Sequence, residues 1–435
     1  MELSDLTLGF IGFGGMAQKD APHYAKHVKR VLVSDINPEQ LKKAAGMPNV
    51  EVRETNAAVA READIWIVAT TPISEVDRVF TNALQSAKLG SLAVDYTSVK
   101  SHVERAAKAP TTPEDISYTL MHPMRGPSLA PERQTHVLIH GERKSPLQQS
   151  LERLVMAVGG RVVFLDSAEQ HDRIVSRVQS STHFTYFALA QAYLAAGLVS
   201  EKSLDMPSMG YERNTLDHLK LLLSMRLCSQ HKNNRNIYPA IAALNPFVPN
   251  DLDIILRTGN DIMTAANENN APYLRDAFGE VRDFLGHGNI KEAEGELEEL
   301  MQGEFTLADD TGDSNISLLH VGTAWAAMGD EAHPAKNMIF ASPPYKIMAL
   351  ATLASFGKGL DASIRNALKP AVRSRDLHYW LALQRTSVPL ITSLPPKGKE
   401  EFYSQILTDT ATAIPQNVLD YSARRSNEII ERMKS

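Results

Sequence analysis

Cysteine is almost absent from the sequence: Cys228 stands alone, so no disulfide can form within the chain, and a reducing compartment is expected. No stretch reaches the roughly 18 apolar residues that a membrane helix needs. The first residues, MELSDLTLGFIG, lack the basic region and long apolar run of a secretory signal. These features predict a cytoplasmic protein without a membrane partner.

Positive charge is not in excess either. The formal net charge is −6, which gives no basic surface for nucleic acid, and no metal site is expected. Hydrophobic residues make up 43% and charged residues 22% of the chain, as in ordinary soluble globular proteins. With 435 residues the chain is too long for one core, and two or three domains are expected.

A glycine-rich turn follows the first apolar run. Leu6 to Ile11 predicts a buried strand, and Gly12-x-Gly14-x-x-Ala17 follows it at the start of a predicted helix. This order is typical of a dinucleotide-binding fold, in which the helix N-terminus faces a pyrophosphate. Asp35 ends the next predicted strand, at about the 20-residue distance expected of a carboxylate that binds a ribose hydroxyl.

Strands and helices continue to alternate after Asp35. Further strands are predicted at 63–72, 90–100, 116–123, 136–141 and 160–166. The pattern predicts a doubly wound, mostly parallel sheet, which binds ligands beyond the carboxyl ends of its strands. The Thr70–Thr71 loop, the Thr97–Ser98–Lys100 loop and His122 all lie at such ends. His122 is therefore expected to face the nicotinamide end of a cofactor.

From about residue 168 the sequence predicts helices only. The fold class is thus an α/β Rossmann-type doubly wound sheet followed by an all-α region. We predict a dinucleotide-binding domain at 1–166, a helical substrate and dimerisation domain at 167–306, and a C-terminal helical extension at 307–435.

Several motifs together resemble those of the prephenate dehydrogenase family. They match in order and at family-like spacing over roughly residues 6–245, and the long helical tail resembles the fungal, NADP-linked branch. The motifs are Gly9-x-x-Gly12-x-Gly14-x-Met16, DYTSVK (95–100), HPMRGP (122–127), HD (171–172) with STHF (181–184), and MRLCSQ (225–230).

The resemblance implies oxidative decarboxylation of prephenate to 4-hydroxyphenylpyruvate in tyrosine biosynthesis, by a homodimer. A histidine suits removal of the hydroxyl proton, so His122 is the expected base, and Ser98 would orient it or bind the same hydroxyl. Arg226 would pair with a substrate carboxylate, and His183 would lie beside the substrate. For Arg125 two roles are compatible with the sequence: a contact with the phosphate or the substrate, or a surface charge. The expected cofactor-binding residues are Gly9, Gly12, Phe13, Gly14, Gly15, Met16, Asp35, Thr70 and Thr71.

The identity of the cofactor stays open at this point. The resemblance to the fungal branch favours NADP, whereas Asp35 favours the free 2′-hydroxyl of NAD and should repel a 2′-phosphate. We expect NADP, with NAD as the alternative.

Three other functions are compatible with parts of the sequence. The chain could act on arogenate, or it could be another 6-phosphogluconate-dehydrogenase-like hydroxy acid dehydrogenase. The latter group resembles it less, since no lysine occurs between Asp166 and Gly197, where such enzymes place a catalytic one. Outside the enzymes, an NAD(P)-sensing binding protein would need the cofactor fold but not the set of His122, Ser98 and Arg226.

Overall fold

The computed structural model describes residues 2–70, 72–127, 129–199, 215–230, 237–301, 314–392 and 394–433. The chain divides into two compact units, Met1–Val175 and Ser176–Ser435. Residues 314–433 thus fold in one unit with the preceding helices, whereas a separate extension was predicted from residue 307.

The first unit contains a sheet of eight strands among the described residues, in the order β3-β2-β1-β4-β5-β6-β7-β8. Neighbouring strands are parallel except for β6 and β7, which are antiparallel. The doubly wound, mostly parallel sheet is therefore confirmed. The strands are β1 (Thr7–Ile11), β2 (Arg30–Ser34), β3 (Val50–Val52), β4 (Ile65–Val68), β5 (Leu92–Asp95), β6 (Ser117–Pro123), β7 (Thr135–His140) and β8 (Arg161–Phe164).

Helices cover both faces of this sheet. The α-helices of the unit are α1 (Gly15–Tyr24), α2 (Pro38–Lys42), α3 (Asn56–Glu62), α4 (Val76–Leu84), α5 (Ser101–Ala107), α6 (Pro146–Ala157) and α7 (Ala168–Val175). Phe10 points to the core under α1 with Tyr24, while its neighbour Ile11 points to the opposite core with Trp66. Because successive strand residues face opposite sides, burial on both faces explains the continuous apolar runs of the sequence.

The regular elements among the described residues of the second unit are helices, which confirms the all-α region. It begins with a π-helical turn at Ser176–Ser180. Its α-helices are α8 (Ser181–Ala195), α9 (Leu216–Ser229), α10 (Tyr238–Leu244), α11 (Val248–Asn267), α12 (Ala271–Leu285), α13 (His287–Leu300), α14 (Ile316–Met328), α15 (Pro334–Asn337), α16 (Pro343–Ser355), α17 (Leu360–Ala367), α18 (Pro370–Ile391), α19 (Pro396–Ala413) and α20 (Gln416–Arg432).

Contacts between helices that come early and late in the chain explain why these helices form one compact unit. Helix α8 packs against α9 and α18, and α9 packs against α20. Gln191 on α8 donates to Thr386 on α18 across 3.2 Å. Gly259 on α11 lets the Trp380 ring of α18 pack directly against the backbone of α11, because a Cβ at Gly259 would lie 2.3 Å from that ring. The late helices thus bury the apolar faces of the early ones.

Among the described residues, no single helix combines the length and the apolar composition needed to cross a bilayer. Helices α16 and α17 reach that composition only as a pair, and they meet at 83°. Most of their residues are buried in the helical unit.

Candidate active site

The glycine turn after β1 leaves room for a ligand at the start of α1. Gly12 has a φ of +91°, and a Cβ there would lie 2.8 Å from the Ala69 carbonyl oxygen, so only glycine fits. At Gly14, which precedes α1, a Cβ would meet no atom within 4 Å. The space beside Gly14 and the partial positive charge of the helix N-terminus suit a pyrophosphate.

Asp35 ties the second strand to this turn. Its Oδ2 accepts the Phe13 N–H at 2.7 Å, and its Oδ1 accepts the Asn37 N–H at 2.8 Å. The side chain is half-buried at the end of β2. The carboxylate is thus held at the position where dinucleotide folds contact the adenosine ribose.

The other predicted cofactor-binding residues differ in what they contact. Gly9 packs β1 against α3, since a Cβ there would lie 2.5 Å from the Val59 side chain, and the Phe13 ring is buried in the core. Gly15 begins α1, where Met16 follows it, and Thr70 contacts Gly12 through its backbone. Thr71 lies outside the described residues.

The loop after β6, residues 124–127, packs against the same helix terminus. A Cβ on Gly15 would lie 3.0 Å from the Cβ of Pro127. Arg125, whose role was open, is buried and pairs with Asp20 on α1. The Met124 N–H donates to Thr135 on β7 at 2.8 Å. These contacts hold the loop beside the proposed cofactor turn.

His122 lies near the end of β6 and is about 5% exposed. Its Nδ1 is 2.9 Å from Nε2 of His171 on α7, and Nδ1 of His171 is 2.8 Å from Oδ1 of Asp172. Within the described part of the first unit, Nε2 of His122 makes no hydrogen bond. The three side chains form a continuous chain of hydrogen bonds that ends at His122.

Asp172 is anchored in turn to the N-terminus of α5. Its Oδ1 accepts the backbone N–H of Lys100, and its Oδ2 accepts that of Ser101, each at 2.8 Å. The Ser101 hydroxyl also donates to Oδ2. These bonds fix the carboxylate and, through it, the ring of His171.

Lys100 fixes the backbone just before His122. Its ammonium is fully buried, donates to Asp95 at the end of β5, and donates to the Met121 carbonyl at 2.8 Å. A buried cation needs such partners, because the cost of removing it from water is several kcal/mol. The motif lysine thus connects the ends of β5 and β6.

Ser98 occupies a different position from the one expected of an orienting group. It is half-buried in the loop after β5, and its hydroxyl makes no hydrogen bond to another described residue of the unit. The ring bond of His122 goes to His171 instead. A contact of Ser98 with the substrate hydroxyl stays a prediction.

Burial controls the protonation of these groups. Burial, and then the nearby His171, Lys100 and His136, hold the pKa of His122 well below its usual 6.5. Burial also lowers the pKa of His171, although Asp172 opposes it. Burial alone would raise the pKa of Asp172, but hydrogen bonds from His171, Ser101 and Lys100 outweigh burial and lower this pKa. Both imidazoles are therefore neutral at pH 7, and the carboxylate is ionised.

In the helical unit, the predicted substrate residues His183 and Arg226 lie on neighbouring helices, α8 and α9. The His183 ring on α8 contacts the Tyr238 ring edge-on, with centroids 4.3 Å apart, and burial lowers the pKa of His183 to about 4. Arg226 on α9 is half-buried, and burial lowers the pKa of its guanidinium. One guanidinium nitrogen lies 3.4 Å from Oδ1 of Asn427.

The sequence interpretation gave little weight to His171 and Asp172, and it missed the pairing of Asp20 with Arg125. The HD pair just after β8 was the available signal for the first. No local pattern connects Asp20 with Arg125, because the fold alone brings them together.

Residues 23–163 match the family model described as prephenate dehydrogenase, nucleotide-binding domain. A probable prephenate dehydrogenase [NADP(+)] of Schizosaccharomyces pombe is 25% identical over 354 residues, covering 78% of each chain. The prephenate dehydrogenase [NADP(+)] of Saccharomyces cerevisiae is 22% identical over 355 residues, or 78% of this chain and 75% of the relative. These matches confirm the resemblance to the family and to its fungal members.

Among solved structures, the prephenate dehydrogenase of Aquifex aeolicus in complex with hydroxyphenyl propionate and NAD+ aligns with a TM-score of 0.38 at 19% identity. The alignment covers 46% of this chain and 73% of that one.

Proposed function

We propose that this chain is an NADP-dependent prephenate dehydrogenase, which converts prephenate to 4-hydroxyphenylpyruvate and CO2 on the route to tyrosine. The names of the fungal relatives and the match over residues 23–163 support the proposal. The single observation that carries it is the buried His122 near the end of β6, just before a loop that packs on the start of α1.

The chemistry of prephenate requires a base at such a place. Prephenate is a ring alcohol with two carboxylates, and its oxidation removes a hydride from the carbinol carbon and a proton from the hydroxyl. The nicotinamide accepts the hydride when the cofactor is bound. His122 is neutral at pH 7 and takes the hydroxyl proton. Loss of CO2 then leaves the electron pair of the broken bond in an aromatic ring.

The carboxylates of the substrate need cationic partners. Arg226 offers a guanidinium that burial has partly desolvated, as the lowered pKa indicates. Such a group gains from a bidentate carboxylate contact more than a solvated one does. His183, neutral and against Tyr238, would contribute a hydrogen bond beside it.

The residues described above fit a dinucleotide, but they do not all favour NADP. The open turn at Gly14 suits the pyrophosphate of either cofactor. The Asp35 carboxylate opposes a 2′-phosphate, while the fungal relatives carry NADP(+) in their names. We favour NADP on the similarity along most of the chain. Initial rates with NAD+ and NADP+ at matched concentrations would decide.

The test of the function is the absorbance at 340 nm with prephenate or arogenate as substrate, each with NAD+ and NADP+. We expect the highest kcat/KM for prephenate with NADP+. A preference for arogenate would identify an arogenate dehydrogenase. No turnover of either substrate, together with tight NADP(H) binding, would contradict the proposal in favour of a nucleotide-sensing protein.

A cytoplasmic homodimer is the assembly that we propose for the enzyme. The family resemblance supports the homodimer, and the single cysteine, Cys228, which is buried, supports a reducing compartment. Light scattering coupled to gel filtration would measure the mass of the particle against the 47.9 kDa of one chain.

A further inference from the structure

The direction of each hydrogen bond between Asp172 and His122 can be assigned from the acceptors. The ionised Asp172 carboxylate can only accept, and it already accepts from the Lys100 and Ser101 N–H groups. Nδ1 of His171, 2.8 Å away, must therefore carry a proton and donate it. A neutral imidazole has one N–H, so Nε2 of His171 is left as an acceptor.

This assignment fixes the tautomer of the next ring. Nδ1 of His122 lies 2.9 Å from the acceptor Nε2 of His171, and so Nδ1 is the protonated nitrogen of His122. Its Nε2 then carries the lone pair. The hydrogen-bonded nitrogen of a histidine generally determines which nitrogen is free for chemistry.

A neutral histidine between the carboxylate and the base has a physical consequence. If Asp172 contacted His122 directly, its charge would favour the imidazolium and raise the pKa of the base. The interposed His171 orients the ring without that charge at close range. Burial and Lys100 also disfavour the imidazolium, so His122 keeps its lone pair until substrate supplies the proton.

We propose that His171 is a positioning residue, anchored by Asp172, which holds His122 in the Nδ1–H tautomer and so makes Nε2 of His122 the atom that receives the hydroxyl proton of the substrate. The proposal rests on the proposed function and deepens it. In the step, the substrate O–H bond breaks, an N–H bond forms at Nε2, and the hydride leaves with its electron pair to the cofactor. His171 keeps its own proton on Nδ1 throughout.

Two substitutions of His171 distinguish its role in positioning His122 from the effect of its side-chain volume. His171→Leu fills a similar volume but removes the acceptor for His122. His171→Gln keeps an acceptor, because its side-chain oxygen can reach the position of Nε2. The matched control is His140→Gln, a histidine of the same unit whose ring nitrogens lie 2.8 Å from Thr119 and 2.9 Å from Glu152. Thermal unfolding identifies variants that fail to fold.

With prephenate and NADP+, we expect His171→Leu to lower kcat about 10²-fold, at the low end for groups that act on a general base. KM and NADPH binding, followed by fluorescence, should change less than about threefold, within the range of one weak contact. His171→Gln should recover about tenfold of the loss, and the control should keep wild-type kcat. Equal losses in the Leu and Gln variants, or wild-type kcat in both, would overturn the proposal.

A second measurement does not depend on turnover. Nitrogen-15 NMR of histidine-labelled enzyme saturated with NADP+ reports which ring nitrogen of His122 is protonated, with His122→Asn providing the assignment. We expect the Nδ1–H form in the wild type and its loss in His171→Leu. The Nε2–H form in the wild type would refute the positioning role even if prephenate is turned over. An inactive wild type that shows the Nδ1–H form would refute the proposed function alone.

Discussion

The guanidinium of Arg125 and the carboxylate of Asp20 form an ion pair from which solvent is fully excluded. The Tyr96 hydroxyl donates to the same carboxylate at 2.6 Å, and Arg125 also donates to the Leu129 carbonyl at 2.7 Å. The pair joins the loop after β6 to α1, the helix that follows the glycine turn. It therefore couples the position of the proposed base to that of the cofactor helix.

Arg125→Met should destabilise the protein strongly, because it leaves the Asp20 carboxylate buried without its cation. Removal of one partner of a buried ion pair typically costs about 3–5 kcal/mol. Urea unfolding followed by circular dichroism would measure the change in the free energy of unfolding. The double variant Asp20→Asn/Arg125→Met should regain part of it, since neither charge is then left unpaired.

The control for this buried ion pair is an exposed ion pair. Arg78 and Glu75 lie 2.8 Å apart with side chains 67% and 49% exposed, so Arg78→Ala should change stability by less than about 1 kcal/mol. If Arg125→Met and Arg78→Ala had similar effects, the Asp20 carboxylate would not depend on Arg125.

His122→Asn should abolish most of the turnover and leave the cofactor site intact. Asparagine fits the position but cannot accept the hydroxyl proton at neutral pH, so kcat should fall by roughly 10²–10⁴-fold. NADPH binding should be unchanged, since the turn at Gly14 is built from other residues. Stopped-flow and steady-state rates at 340 nm would measure the loss. A variant that keeps wild-type kcat would exclude His122 as the base.

The pH profile should show an acidic limb at low pH. A base works when it is unprotonated, so activity is present above its pKa and is lost as the pH falls through it. Because burial, His171, Lys100 and His136 lower the pKa of His122, the limb of kcat should lie below pH 6.5. Initial rates with saturating prephenate, from about pH 5 to pH 8, would locate it. A midpoint above pH 6.5 would mean that, in the complex with substrate and cofactor, the pKa of His122 is no longer lowered by burial.

Arg226→Ala should act on substrate binding. Loss of a charge-assisted hydrogen bond, worth about 1.5–3 kcal/mol, corresponds to a rise of KM for prephenate by about ten- to hundredfold. KM for NADP+ should not change. The control is Arg257→Ala on α11, a residue that is 76% exposed and pairs with Asp253. Equal KM values for prephenate in the two variants would exclude Arg226 from the substrate site.

The succession of strands along the chain followed from local patterns, and so did the residues at their ends. Alternation of apolar runs with helices predicted β1, β2 and β4 to β8, and the strand-end rule predicted His122 near the carboxyl end of β6, where it lies. Strand β3 was not predicted, because Val50–Val52 is too short to show a period. The sheet order required the pairings themselves.

The partners inside the site could not be predicted, because they depend on packing between distant segments. His171 lies 49 residues after His122, and Asp172 lies 72 residues after Lys100. Their meeting depends on helix α7 lying against α5, a contact between two helices that sequence periodicity does not specify. Ser98 of the DYTSVK motif was instead the residue expected to orient His122 or to bind the substrate hydroxyl.

Asp35→Asn should shift the cofactor preference towards NADP. The amide keeps an oxygen for the Phe13 N–H, which Asp35 accepts at 2.7 Å, but it removes the negative charge that opposes a 2′-phosphate. We expect KM for NADP+ to fall by about tenfold, the equivalent of 1.4 kcal/mol, and KM for NAD+ to rise as a charged acceptor for the ribose hydroxyl is lost. The ratio of kcat/KM values for the two cofactors measures the shift. Glu39→Gln, an exposed neighbour on α2 that pairs with Lys42, is the charge-matched control and should leave the ratio unchanged. An unaltered ratio in Asp35→Asn would mean that the carboxylate serves the turn at Phe13 and not the choice of cofactor.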